Sequence, residues 1–151
     1  MKNLNFLLLL LFSFACTRQQ IQESQPTEKQ LCDGSIPYTF FIPSEDSISI
    51  ELPTCFRHVP LVGIDSDVGQ FMSSEVSLVI YYDIGIAAGY QVKQNSPNKQ
   101  VFQSVNQEFW YEQINGYVYF TFPNAGPANF YTEDETYATE LIEIMKTLKT
   151  N

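Results

Sequence analysis

The chain is poor in the residues from which catalytic and nucleic-acid sites are usually assembled. It has one histidine, three cysteines, and eight Lys and Arg against 17 Asp and Glu in 151 residues. Two cysteines, Cys32 and Cys55, and one distant His58 do not make a four-ligand zinc site. There is no Cys-x-x-Cys pair, no Gly-rich phosphate loop, no dinucleotide fingerprint and no Gly-x-Ser-x-Gly nucleophile elbow. The shortage of cations argues against nucleic acid, where phosphate neutralisation supplies most of the affinity. It equally argues against an electrostatic membrane-binding face. No cofactor and no metal is expected. Internal repeats and a second composition block are also missing, which leaves room for one domain.

Long apolar runs are missing too, with one short exception. Leu4 to Phe14 is almost wholly apolar and includes five consecutive leucines, Leu7 to Leu11. About eleven residues are too few to cross a bilayer of roughly 30 Å as a helix. Preceded by Lys2 and followed by Ser13-Phe14-Ala15-Cys16, the run reads as a secretory signal over residues 1–15. Small residues at Ser13 and Ala15 suit cleavage before Cys16. Two outcomes are open there. Ser13 to Cys16 resembles the lipobox of bacterial lipoproteins, which implies acylation of Cys16 and a multi-chain membrane anchor. The other outcome is plain secretion, periplasmic or extracellular. By the same resemblance, Thr17 in place of the retaining Asp points to the outer membrane.

Residues 16–32 then read as the attachment cysteine and a polar tether. Thr17 to Lys29 is rich in Gln, Ser and Glu and holds too little apolar surface to order itself. If Cys16 carries lipid, Cys32 and Cys55 are left as a pair in an oxidising compartment. Their bond would close a loop of about 24 residues, worth roughly 3 kcal/mol in the chain-entropy model. The alternative is two unpaired buried thiols.

Residues 33–151 should form a single α+β domain: an antiparallel sheet of about five to seven strands with one C-terminal helix packed across it. Abundant Tyr and Phe suit strands. Ile48, Ile50 and Leu52 alternate on one face of a strand ended by Pro53. Ile36 to Ile42, Val68 to Met72 and Ile86 to Val92 are further strand candidates. Val76 to Tyr82 is a stronger one, with Leu78, Ile80 and Tyr82 facing one way and Val79 and Tyr81 the other. Lys93 to Lys99 is a polar loop. The clearest local signal is Asn115-Gly116 between Glu108–Ile114 and Tyr117–Phe122, a type I′ hairpin. It pairs Ile114 with Tyr117, Glu112 with Tyr119 and Trp110 with Thr121. Phe109, Tyr111, Gln113, Val118, Phe120 and Phe122 should form its core face. Asn129 to Tyr131 follows a turn as a last hairpin strand. Thr132 and Glu135 read as a capping box, opening a helix whose buried face is Tyr137, Leu141, Ile144, Met145 and Leu148. Lys146 to Asn151 ends that helix or leaves it as a short final strand.

Three segments are candidate sites. Gly63 to Gly69 puts Asp65 and Asp67 between glycines: a cation loop completed by Asp83, or a plain turn closed by an Asx-type bond. His58 with Asp65, Asp67 or Asp83 is the only combination from which a small envelope hydrolase or cation-dependent enzyme could be built. The hairpin face of Trp110, Glu112, Tyr117 and Tyr119 suits a glycan or an envelope protein, unless the C-terminal helix covers it.

The runs Ile48 to Pro53, Gly63-Ile64-Asp65-Ser66-Asp67-Val68-Gly69 and Tyr81-Tyr82-Asp83-Ile84-Gly85 resemble a group of small exported bacterial proteins of unknown function. In architecture the chain loosely resembles the PsbP/Mog1 α+β sandwich. Neither resemblance implies a catalytic residue here. The resulting expectation is a membrane-anchored envelope lipoprotein with a non-enzymatic binding or accessory domain.

Overall fold

A computed structural model describes residues 31–41, 47–63, 65–85, 90–125 and 128–151. The signal segment, Cys16, residues 17–30, Ile42, Ile64, residues 86–89 and Pro127 lie outside the described residues. The described residues are mostly β, with one short helical segment.

Ten strands form two antiparallel sheets. The larger has seven strands, β3 (Phe56–Pro60), β4 (Ser66–Ser73), β5 (Val79–Gly85), β6 (Gln100–Gln103), β7 (Glu108–Ile114), β8 (Tyr117–Phe122) and β9 (Ala128–Thr132), in the order β3-β4-β5-β9-β8-β7-β6. The smaller runs β1-β2-β10, from β1 (Ser35–Phe41), β2 (Ser47–Pro53) and β10 (Lys149–Thr150). The sheet of seven meets the upper end of the expected strand number. The second sheet was not expected, because β1 and β2 read locally like two more strands of the first.

The two sheets stack through aromatic side chains of the inner faces. Phe40 of β1 meets Phe71 of β4, Tyr82 of β5 and Phe130 of β9 with ring centres 4.8–6.0 Å apart. Each strand of the large sheet presents alternate residues to this core, as its period of two requires. Phe71, Ile80, Tyr82, Phe130, Phe120 and Phe109 are all buried there. Tyr82 lies directly over Gly69, its cross-strand partner, so a Cβ at position 69 would collide with the phenol. The hairpin has the register read from Asn115-Gly116. Both turn residues have positive φ, 53° and 85°, as a type I′ turn demands. Of its expected core face, Gln113 is the exception: it stays exposed and donates to Glu135 at 2.6 Å.

The C-terminal segment departs from its reading in detail. The helix α1 covers only Ala138–Lys146, after a 3-10 turn at Glu135–Tyr137. Thr132 and Glu135 do not form a capping box. Thr132 is a buried residue of β9, and Asp134 caps the turn by accepting from the Thr136 amide. Strand pairing claims Thr132 before the helix can. Tyr137, Leu141, Ile144, Met145 and Leu148 all join the common core. After the helix the chain does peel off as β10, pairing Lys149 with Ser49. The Thr147 hydroxyl accepts from the Glu51 amide and ties the helix end to β2.

Several strand limits also moved. β5 starts at Val79 and runs on to Gly85, while residues 90–92 are not strand. Neither β3 nor β6 was expected. Each is a short edge strand with mixed polarity, and its pairing partner supplies what its own pattern lacks.

Candidate functional site on the outer sheet face

The face of the large sheet turned away from the second sheet is built by the other half of each strand. Cross-strand pairing aligns Tyr119 of β8 with Tyr131 of β9, and Tyr131 with Tyr81 of β5. These three rings stack in a row, with centroids 6.0 Å and 4.8 Å apart. Tyr117 stacks on Tyr119 at 5.9 Å, and Tyr90 lies against Tyr119 at 4.0 Å. Two residues along the strands, a parallel row pairs Thr121 with Asn129 and Asn129 with Asp83. An aromatic rung therefore lies beside a hydrogen-bonding rung, separated by about 7 Å on ordinary strand geometry.

The aromatic rung, with Asn129 and Asp83 of the polar rung, lines an open cleft of about 380 Å³, together with Tyr90, Tyr117, Leu61 and Glu133. Its lining has no Lys, Arg or His among the described residues. Burial first, then neighbouring phenols and Glu133, raise Tyr119 and Tyr131 above the ordinary tyrosine range. Tyr90 is pushed up to about 12 by burial and by donating to Glu112. Tyr90, Tyr119 and Tyr131 thus offer uncharged rings and donors across the physiological range.

Asn129 occupies the middle of the polar rung and is 2% exposed. Its Oδ1 accepts from the Thr121 hydroxyl at 2.8 Å, which fixes the amide's orientation. Its Nδ2 is buried and finds no hydrogen-bond partner among the described residues. A buried donor left unpaired costs about 1–3 kcal/mol.

The four hairpin residues singled out from sequence divide into two pairs. Tyr117 and Tyr119 line the cleft. Trp110 and Glu112 lie under the segment 90–99, which runs across the outer face of β7 and β8. Glu112 is buried and accepts from the hydroxyls of Tyr90 and Ser96. Lys99 sits 4.4 Å above the Trp110 ring. The Val92 amide donates to Thr121 at 2.8 Å, on the same hydroxyl that serves Asn129. The cover of this half is the polar loop, and the C-terminal helix lies on the other side of the sheet. Sequence reading missed Tyr81, Tyr90, Asn129 and Tyr131. Tyr81 had been assigned to the face opposite Tyr82, which is the only local signal that existed.

The enzyme-like group lies between the sheets. His58 projects from β3 toward Tyr38 of β1 and Tyr82 of β5. Its Nε2 is 2.7 Å from the Tyr82 hydroxyl, and the Tyr38 hydroxyl is 3.1 Å from each ring nitrogen. Tyr82 reaches on to Asp67 at 3.4 Å. Burial lowers the His58 pKa, and Asp67 partly offsets this. Asp67 is therefore the one acid of the expected three that joins this group. Asp83 lies on the opposite face of β5, as its alternation with Tyr82 dictates. Among the described residues, Asp65, Asp67 and Asp83 do not gather at metal-ligand distance. The one such cluster, Cys32 with Cys55 and Glu75, is occupied by a disulfide.

That disulfide joins Cys32, just before β1, to Cys55 in the turn between β2 and β3. Comparison of the chain with known protein families, characterised proteins and solved structures finds no match.

Proposed function

We propose that the protein is an exported, lipid-anchored component of a bacterial envelope, attached through Cys16 and most simply at the outer membrane, and that its domain is a non-enzymatic binding module acting through the outer face of the large sheet. The observation that carries the binding role is the open tyrosine rung beside the polar rung of Thr121, Asn129 and Asp83. A face kept only for solubility would place charged side chains there. Stacked tyrosines next to a buried amide combine apolar area with fixed polar contacts, the composition of binding sites generally. The lipobox-like start, the polar segment 17–29 and the extracytoplasmic chemistry of the Cys32–Cys55 bond support the placement. The partner is an envelope glycan or protein.

The alternative reading, a small hydrolase built on His58, has one observation in its favour: Tyr82 links His58 to Asp67. Against it, no serine, threonine or cysteine among the described residues is bonded to His58. Among the described residues, the hydroxyls bonded to His58 belong to two tyrosines.

Two measurements test the main reading. The intact mass of membrane-extracted protein should correspond to a chain beginning at Cys16 plus acyl groups; an unmodified chain removes the anchor. The full mature chain carrying Cys16→Ser should co-sediment with isolated envelopes, and Tyr119→Ala with Tyr131→Ala should abolish this. Sedimentation indifferent to the two tyrosines would remove the binding role of this face.

A further inference from the structure

The composition of the cleft narrows its ligand further, on the basis of the binding role proposed above. We propose that the two rungs form a subsite for a neutral sugar residue, stacked on Tyr119 and Tyr131 and hydrogen-bonded to Asn129 and Asp83, with Thr121 holding the Asn129 amide from beneath the segment 90–99.

Each other class of ligand would leave part of the cleft unsatisfied. An anion would enter a cleft that contains Asp83 and Glu133 and, among the described lining residues, no cation. It would meet repulsion with no compensating charge. A quaternary ammonium would be welcomed by the rings and carboxylates, but it has no acceptor for the Asn129 Nδ2 donor. That donor is buried and unpartnered among the described residues. A wholly apolar ligand would seal it more deeply and add to its cost. A neutral sugar meets all three conditions. The hydrogens on the flat side of the ring are weakly positive and rest on the negative face of a tyrosine. Its rim carries oxygens that both donate and accept. One of them can take the Asn129 proton while its own hydroxyl donates to Asp83, and the Tyr90 and Tyr117 hydroxyls edge the same space.

The spacing suits this division of labour. The aromatic and polar rungs lie about 7 Å apart, so one ring can lie over tyrosine while its rim reaches the amide. The cleft of about 380 Å³ lies at the small end of ligand pockets, roughly 300–1,000 Å³, and its open side would let a glycan chain continue. Asn129 Nδ2 is covered in the ligand-free cleft. A sugar that reaches it while stacked on Tyr119 and Tyr131 must change the surroundings of those rings, which gives binding an optical signature.

The test is titration of the full mature Cys16→Ser chain with glucose, N-acetylglucosamine, cellobiose and chitobiose, with choline and glucuronate as contrasting probes. Near-ultraviolet circular dichroism and the Asn side-chain amide resonances are followed together. The expected result is a saturable change in the tyrosine signal, with a shift of the Asn129 amide, for at least one neutral sugar and for neither contrasting probe. Tyr131→Ala should weaken that binding about tenfold, the loss of one stacking platform. Asn129→Leu, which keeps the volume but removes the donor, should do the same. Ile36→Ala on β1, remote from the cleft, should bind as the parent does. A melting curve accompanies each variant, and Tyr131→Ala decides the matter if Asn129→Leu does not fold. Affinity that rises from mono- to disaccharide identifies a glycan, and equal affinity identifies a free sugar. Either result supports the subsite. A tyrosine response to choline or glucuronate but to no sugar overturns it, as does silence from all six probes. If envelope sedimentation still depends on Tyr119 and Tyr131 in those cases, the face binds something else and only the sugar assignment falls. If sedimentation is also indifferent, both fall.

Discussion

The two faces of the seven-stranded sheet are made by the same strands and separated by one residue of register. On the inner face, the aligned residues Phe71, Tyr82, Phe130 and Phe120 fill the space against the second sheet. On the outer face, the corresponding positions are Gln70, Tyr81, Tyr131 and Tyr119. Gln70 apart, both rows are aromatic, and the aromatic positions differ chiefly in the hydroxyl. Inside, the one phenol, Tyr82, is held by His58 and Asp67. Outside, the phenols border solvent, and their rings stack on each other. Ring area is used for stability on one side and left available on the other. The contrast indicates that the outer rung is not core left uncovered, since the core neighbours of Tyr131 and Tyr119 are Phe130 and Phe120, and the core neighbour of Tyr81, Tyr82, has its hydroxyl bonded.

The largest effect expected from breaking this contrast comes from the core. Phe130→Ala should cost about 3–5 kcal/mol, as a buried aromatic truncation does, whereas Tyr131→Ala next to it should cost about 1 kcal/mol, an open-face change. Urea unfolding of the two variants measures the difference, and equal losses would mean that the outer rung is structural. Second in size is the disulfide: replacing Cys32 and Cys55 by serine should cost roughly 3 kcal/mol, read in the same way with and without reductant. Third, Glu112→Ala removes the acceptor shared by Tyr90 and Ser96. It should cost about 1–3 kcal/mol and raise hydrogen exchange at the Val92 amide, leaving the inner-face amides protected. Exchange unchanged at Val92 would show that the segment 90–99 is held by other contacts.

The smallest effect is a pH dependence at His58. Its folded pKa lies below the ordinary 6.5, chiefly through burial. The unfolded chain therefore takes up a proton that the folded chain resists, and stability present above pH 6.5 declines as pH falls below it. His58→Gln should flatten that limb of a stability–pH profile. A profile that rises on acidification would mean that Asp67 outweighs burial.

Local features were legible in the sequence, and long-range ones were not. The hairpin could be read to the residue because Asn115-Gly116 specifies both turn type and register. Ile80 and Tyr82 of β5 were legible as inward residues because they continue an alternation that begins at Leu78, just before the strand. β6, with only Gln-Val-Phe-Gln, is too short to show a period. The capping box failed because Thr132 had two local roles open to it, and strand pairing with Val118 decided between them. The candidate site was half legible. Tyr117 and Tyr119 lie in the hairpin and could be named. Tyr81 joins them only because β5 pairs with β9 and β9 with β8, two pairings that no local pattern announces. Trp110 and Glu112 were named correctly as outer-face residues, but their cover is a loop whose path the sequence leaves open.

The position of the Cys32–Cys55 bond has a mechanical consequence. β1 is an edge strand of the small sheet, the kind of element that unzips one hydrogen bond at a time when pulled from its end. Tension entering through Leu31 reaches the disulfide one residue later. From Cys32 it crosses directly to Cys55, in the turn between the two sheets, and β1 is bypassed. A domain towed by its N-terminal end is thus gripped at the corner where both sheets meet. The strand most easily peeled away carries none of the force, and drag on a captured ligand would be resisted by the whole sandwich.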